Sequence, residues 1–130
     1  MREDYCMNSK DKIMIYLRPD DVLKLKDRFG TFTYLACYGI IHENLIGVLE
    51  LEEKETFCGI HYEVAGVGSS YFISRNSFNC SKYLGLREIV GIYRLLPGVS
   101  LNDFFGSGKA DLRMAKILYE KEDSVHEDFN

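Results

Sequence analysis

The fold predicted for this chain rests on one stretch, TFTYLACYGIIHENLIGVLELEE, residues 31–53. Its apolar and β-branched residues indicate a long β-hairpin that turns near Glu43 and Asn44. A strand with one face in water alternates strictly between apolar and polar residues, but the first arm here is apolar on both faces. The arm therefore either runs through a two-layered core or presents an apolar face to a partner.

Strand alternation divides the first arm between two faces, with one set of side chains on each: Phe32, Tyr34, Ala36, Tyr38 and Ile40 against Leu35, Cys37 and Ile41. Tyrosine is amphipathic and enriched at protein interfaces. Tyr34, Tyr38 and Ile40 are therefore the predicted interface residues. The alternative is that the tyrosine rings pack in the core and their hydroxyls reach its rim.

The segments around the hairpin predict a single α+β domain over residues 12–122. Pro19 at a first-turn position, with Val22 and Leu25 at helical spacing, predicts a helix at 20–29. The same spacing near the C-terminus predicts a second helix at 109–122. The remaining apolar runs predict further strands at 12–18, 56–64, 71–74 and 86–96.

The predicted architecture is a mostly antiparallel meander sheet of five or six strands with one N-terminal and one C-terminal helix. A helix on one face would bury one side of the hairpin arm, and curling of the sheet into a small barrel would bury the other. Both ends are predicted to be flexible, namely residues 1–11 and an acidic tail at 123–130.

Composition excludes several classes of protein. The chain has 130 residues, 46% of them hydrophobic, and a net charge of −4, which disfavours direct nucleic-acid binding and docking on anionic membranes. No apolar run approaches the ~20 residues of a membrane span, and the polar start lacks a signal peptide, so a cytoplasmic location is expected. The four cysteines form no C-x-x-C pair, and Cys37 and Cys58 are expected to be small core residues.

The loop region 66–76 is the predicted ligand site if the chain binds a small molecule. Its Gly66 and Gly68 do not complete a dinucleotide fingerprint, because a tyrosine and a strand follow them. The polar residues beside them have the chemistry to hold a phosphate or carboxylate: Ser69, Ser70, Arg75 and Asn76. Surface charge and turn capping are the alternative explanation of these residues.

A second candidate for anion binding is GSGKA, residues 106–110. It departs from the phosphate-binding P-loop, because Asp103 replaces the first glycine and Ala110 replaces the serine or threonine that binds magnesium. Free N–H groups at the start of the predicted helix, with Lys109, still provide a place for a phosphate or a carboxylate.

His61 and Glu63 are weak catalytic candidates. Strand alternation puts them on the same face, where His61 could be a general base and Glu63 the acid that orients it. Cys58 falls on the opposite face, where it cannot serve this histidine as nucleophile. No catalytic motif is complete, and the three histidines lack the spacing of a metal site. No cofactor or metal ion is therefore predicted.

These features favour a non-enzymatic cytosolic binding protein, a regulator or inhibitor that acts through an apolar and aromatic sheet face. Its expected partner is another protein or a second copy in a homodimer, and the amino-acid usage suggests a phage or mobile-element origin. The alternative is a small nucleotide- or phosphate-binding protein or enzyme that uses the 66–76 loop region.

Overall fold

A computed structural model describes residues 15–66, 68–76, 82–106 and 108–121 of the chain. In this part the backbone forms one antiparallel sheet of eight strands. They are β1 (Asp21–Lys26), β2 (Phe32–His42), β3 (Leu45–Thr56), β4 (Gly59–Val64), β5 (Ser70–Ser74), β6 (Tyr83–Leu84), β7 (Arg87–Leu95) and β8 (Ala115–Glu120). The described helical structure is a single turn, α1 (Leu101–Phe104), and a 3-10 turn at Leu112–Met114. The predicted α+β class is therefore wrong.

The strands lie in the order β4-β3-β2-β1-β7-β6, with β5 beside β3 and β8 beside β7. One edge of β3 thus carries two strands in succession, β5 along Leu45–Leu49 and β4 along Leu51–Thr56. The predicted meander holds for β1 to β4. The chain then returns to the edge of β3 as β5, and only after β5 does it cross to the far side of β1. The sheet does not close, so the predicted barrel is wrong.

The sheet has an apolar cluster on each face. The larger cluster defines the inner face and consists of Leu17, Leu23, Leu25, Leu35, Cys37, Ile46, Val48, Ile73, Ile89 and Ile92. The second cluster defines the outer face and consists of Val22, Tyr34, Leu51, Tyr93, Leu95 and Phe104. The apolar residues on both faces of the first hairpin arm follow from this arrangement, because β2 lies between the two clusters.

A bridge across the inner face shows how strongly the sheet curves. Glu50 of β3 and Arg87 of β7 are three strand spacings apart, which would be about 14 Å in a flat sheet. Their side chains nevertheless form an ion pair, with Arg87 Nη1 2.6 Å from Glu50 Oε2. The hydroxyl of Tyr71 accepts a further hydrogen bond from the same guanidinium at 3.3 Å. The sheet therefore curls around the inner cluster.

The outer face is covered over β1, β7 and part of β2 by residues 96–106 and 108–114, here called the covering segment. Its α1 turn begins at Ser100, as the sequence predicts, with a capping box in which Ser100 and Asp103 exchange side-chain and backbone hydrogen bonds. This turn carries Phe104 into the outer cluster, where it is fully buried.

The predicted helix at 20–29 is wrong because its first residues form a tight turn. Pro19 and Asp20 are the central residues of a β-turn that the Asp21 N–H closes on the Arg18 carbonyl at 3.1 Å. Asp20 has φ of +75°, as the third residue of a type II turn requires, and Pro19 fits the second position. The proline therefore starts a turn that leads into β1 instead of a helix.

The residues after this turn form a central strand. Leu23 and Leu25 enter the inner cluster while Lys24 and Lys26 alternate with them, which is the period of a strand. β1 pairs with β2 on one side and β7 on the other. The helical spacing of Val22 and Leu25 was coincidental, and the two-residue alternation was the physically relevant signal.

The predicted helix at 109–122 is also wrong. Asp111 caps the 3-10 turn, and β8 then pairs with the free edge of β7, with Ala115 opposite Leu95 and Tyr119 opposite Ile92. This pairing gives the backbone N–H and C=O groups along that edge of β7 hydrogen-bond partners, which a helix at 109–122 would not provide. Tyr119 packs against the inner cluster.

The remaining differences concern the chain ends. Of the predicted strand at 12–18, residues 15–18 are not part of the sheet and the rest lie outside the described residues. The ends predicted to be flexible, 1–11 and 123–130, also lie outside them. Among the described residues, no helix has the length and apolar content needed to cross a membrane.

Candidate functional site

The outer face is left uncovered over β3, β5 and the end of β4. Four apolar side chains there point away from the inner core and are strongly exposed, and we call them the uncovered surface: Tyr38 at 48%, Leu45 at 39%, Val64 at 53% and Phe72 at 53%. Register places Leu45 and Val64 on the same face as Leu51 of the outer cluster. An exposed apolar patch of this kind marks an interaction site in many soluble proteins.

A β-bulge builds the centre of the uncovered surface. The pairing of β2 with β3 shifts between Cys37 and Gly39, which leaves Tyr38 as the extra residue. Its ring lies over Gly47, so closely that a Cβ at Gly47 would overlap it. Phe72 is the cross-strand partner of Gly47 on β5, so both aromatic residues lie beside this glycine.

The uncovered surface is uncharged. Between Leu45 and Leu51, the outer-face positions of β3 and their cross-strand partners include no Asp, Glu, Lys or Arg. The acidic outer-face positions, Glu53 and Glu55, lie beyond this stretch towards the end of β3. The polar contact described within the uncovered surface is a hydrogen bond of 3.2 Å between the hydroxyls of Tyr38 and Ser70. This contrasts with the chain as a whole, which carries a net charge of −4.

The structure separates the three predicted interface residues. Tyr34 is buried at 3% exposure beneath Tyr62 and Phe105, with ring centroids 4.8 and 4.9 Å away. Tyr38 lies on the uncovered surface. Ile40 is exposed but lies opposite Ile46 on the inner face, because the bulge reverses the alternation that the sequence predicts.

The residues of the predicted loop site hold neighbouring segments in place. Arg75 donates from Nε to the Leu17 carbonyl at 2.8 Å, and its guanidinium lies 4.1 Å from the centre of the Tyr16 ring. Asn76 accepts a hydrogen bond from Ser74 at 2.8 Å. These contacts connect β5 to the chain segment that precedes β1.

The two serines of that loop region also lie beside β3. The carbonyl of Ser69 accepts from the Glu50 N–H at 2.8 Å, and Ser70 belongs to β5 on the uncovered surface. Lys109 lies elsewhere, because its neighbour Gly108 packs against Ile60 at the other end of β3. Roughly 35 Å of strand separates the two places, so Arg75 and Lys109 do not form one site.

His61 and Glu63 form the predicted pair, with Nε2 and Oε2 2.9 Å apart on the exposed β4. Cys58 is exposed in the turn before β4, contrary to the expectation that it is buried. Cys37 is buried as expected, and burial raises the pKa of its thiol, which keeps it protonated and unreactive. The described residues contain no group of three or more side chains suited to hold a metal ion.

A cavity of about 340 Å³ lies between the sheet and the covering segment, and its lining includes both Lys109 and the buried Tyr34. Its polar lining includes two tyrosine–glutamate pairs, Tyr62 with Glu53 and Tyr93 with Glu120. Burial, and then the charge of Glu53, raise the pKa of Tyr62 to about 12. Lysine side chains from the sheet and from the covering segment complete the polar lining.

Sequence reasoning missed three residues of the uncovered surface, namely Leu45, Val64 and Phe72. Each has an apolar side chain at a strand position where one-sided burial predicts a polar residue, and this could have identified them. The cavity had no such signal, because it joins residues from six strands and the covering segment. Comparisons with family models, curated proteins and solved structures gave no match for this chain.

Proposed function

We propose that this chain is a non-enzymatic protein-interaction module that binds through its uncovered surface. The observation that carries the proposal is the contrast within one sheet face: half is covered by the chain's own aromatic residues, and half exposes Tyr38, Leu45, Val64 and Phe72 to solvent. Burying such side chains against a partner contributes favourable free energy, whereas leaving them in water does not.

We propose a second copy of this chain as the partner. In a two-fold dimer the same patch meets itself, so any charge on it would face a like charge. The uncovered surface has no charged residue at its strand positions, so it meets this condition. The net charge of −4 makes two copies repel one another, and a contact through the neutral patch adds least to this repulsion.

The uncovered surface also presents aromatic rings, the kind of side chain that already packs on the covered part of the outer face. The covering segment packs Phe104 and Phe105 on the outer face of the same sheet. Tyr38 and Phe72 of a second copy offer aromatic rings of the same kind. A cytoplasmic location stays a prediction, with which the free thiols of Cys37 and Cys58 are consistent. A role as regulator or inhibitor stays a prediction.

Sedimentation velocity over a concentration series tests this proposal. We expect a dimer at about 100 µM that dissociates on dilution. Phe72→Ser and Leu45→Ser should give monomers, because each replaces an exposed apolar side chain at the contact. Phe57→Ser is the matched control, since Phe57 is fully exposed in the turn between β3 and β4 and away from the surface.

The control variant should dimerise like the natural sequence. A natural chain that stays monomeric at that concentration would refute the second copy as partner. Equal effects of Phe57→Ser and Phe72→Ser would refute the assignment of the uncovered surface. Circular dichroism spectra of all variants should match, because none of the three side chains is buried.

A further inference from the structure

The cavity beside the covering segment contains a set of polar groups that the interaction role does not use. Its lining combines aromatic rings, carboxylates and amines from distant parts of the chain, among them Lys24, Glu53, Tyr62, Tyr93, Lys109 and Glu120. Its volume of about 340 Å³ falls in the range of small-ligand pockets. A concave site with several convergent polar groups is typical of ligand binding.

The two lysines of the cavity have no carboxylate partner among the described residues. The Lys24 ammonium lies 4.3 Å from the centre of the Phe32 ring, which holds it at the cavity without neutralising it. Lys109 is exposed and belongs to the covering segment. Neither ammonium group forms an ion pair with the two carboxylates of the lining, so both remain available to an anionic group such as a phosphate.

The backbone fixes where Lys109 stands. Gly108 has φ of +81° and is buried against Ile60, so closely that a Cβ would overlap the Ile60 carbonyl oxygen. A residue with a side chain would therefore push the loop away from β4. Because Gly108 packs against Ile60 in this way, the backbone of the next residue, Lys109, is held beside β4.

The two glutamates supply acceptors for the rest of a ligand. Glu53 accepts from the Tyr62 hydroxyl at 3.3 Å and Glu120 from the Tyr93 hydroxyl at 3.0 Å. Each carboxylate has about four lone-pair sites, so one such bond leaves it able to accept from ligand hydroxyls. Ligand hydroxyl groups would meet these acceptors while an anionic group meets the lysines.

We infer that this cavity binds a small phosphorylated sugar, with Lys24 and Lys109 on the phosphate and Glu53 and Glu120 on the sugar hydroxyls. A free sugar phosphate and the ribose phosphate of a nucleoside monophosphate share this chemistry. The site lies apart from the uncovered surface, so ligand binding and self-association can succeed or fail separately.

Calorimetric titration of the full chain with glucose 6-phosphate and with adenosine monophosphate tests the inference. Glucose and inorganic phosphate are the comparison ligands, because glucose has only the sugar hydroxyls and inorganic phosphate has only the anionic group. We expect saturable binding of at least one phosphorylated sugar, and a Kd at least about tenfold weaker for glucose and for phosphate alone. The preferred compound distinguishes the free sugar from the nucleotide.

Lys24→Met and Lys109→Met test the phosphate contacts while keeping the apolar stems of the side chains. Each should raise the Kd about tenfold. Lys54→Met is the matched control, because Lys54 is exposed on β3 and pairs with Glu52 outside the cavity. Its Kd should be unchanged.

Three results would overturn the inference: no heat of binding from any phosphorylated sugar, binding that both cavity variants retain, or inorganic phosphate binding as tightly as the sugars. Sedimentation of the same samples shows whether dimer formation is intact. A loss of ligand binding is thereby distinguished from a failure of the proposed interaction role.

Discussion

Two tyrosines of the outer face each lie over a glycine, one in the covered half of that face and one in the uncovered half. Tyr93 lies over Gly91, is 2% exposed, and has the Phe104 ring 6.2 Å away. Tyr38 lies over Gly47 and is 48% exposed. Gly91 is on the same strand as Tyr93, and Gly47 is on the strand next to Tyr38. In both places an added Cβ would overlap the tyrosine ring, but only the first ring is enclosed by other residues. The covering segment, and not the strand sequence, therefore determines which half of the face is core.

The largest expected effect comes from removing the main contact of the covering segment. Phe104→Ala should lower the free energy of unfolding by about 3–5 kcal/mol, because Phe104 is fully buried in the outer cluster. Phe72→Ala, the matched change in the uncovered half, should lower it by less than about 1 kcal/mol. Guanidinium unfolding at a concentration where the chain is monomeric measures both. Similar losses for the two variants would contradict the division of the face into halves.

The two glycines provide a finer comparison. Gly91→Ala should cost about 1–3 kcal/mol of stability, because the new methyl group collides with the enclosed Tyr93 ring. Gly47→Ala should cost less than about 1 kcal/mol, because the exposed Tyr38 ring can turn aside into solvent. Thermal unfolding of both variants shows which substitution lowers the stability more. A larger loss for Gly47→Ala would show that the Tyr38 ring is held in place and the uncovered surface is rigid.

The smallest effect concerns Tyr62, which lines the cavity between the sheet and the covering segment. Its pKa in the folded chain is raised to about 12 from an ordinary value of 10, first by burial and then by Glu53. Above pH 10 the unfolded chain loses this proton while the folded chain keeps it, so stability falls as the pH rises toward 12. Tyr62→Phe should make this fall less steep.

Denaturant unfolding of the natural chain and the Tyr62→Phe variant at about pH 9 and about pH 11 measures that difference. Burial also raises the pKa of Tyr71 and Tyr119, so the variant should keep part of the slope. Identical slopes for the two chains would contradict the assignment of the raised pKa to Tyr62.

The hairpin of residues 31–53 could be predicted from its sequence because its signals are local. Its turn at Glu43 and Asn44 and its doubly apolar first arm agree with β2 and β3. The cause of the second apolar face could not be predicted. The face is buried by the covering segment, which lies more than fifty residues away in the sequence, and neither a barrel nor a long helix is involved.

The two helix predictions failed for related reasons. The spacing of Val22 and Leu25 fitted a helix, but β1 is fixed by its pairing with β2 and β7. The residues of β8 likewise take the free edge of β7. Pairing between distant strands overrides local spacing, because each buried backbone group needs a hydrogen-bond partner. A single bulge at Tyr38 also moved Ile40 to the other face, and no local pattern marks that insertion.

The candidate site was predictable in part. Tyr38, a predicted interface residue, lies on the uncovered surface. Lys109, a predicted ligand-binding residue, lies at the cavity. Arg75 and Asn76 instead hold the ends of β5 and the segment before β1 in place. The composition of a loop indicates which ligands it could bind, but the tertiary contacts of its side chains determine whether those groups are available.

The most direct test of the central claim is amide hydrogen exchange of the natural chain at low and high protein concentration. If the uncovered surface meets a second copy, protection at high concentration should rise in peptides from β5 and from the β2–β3 hairpin end. Peptides from α1 and β8 should not change, because the covering segment already occupies that half. Protection that is independent of concentration, or that rises only around α1 and β8, would contradict the account.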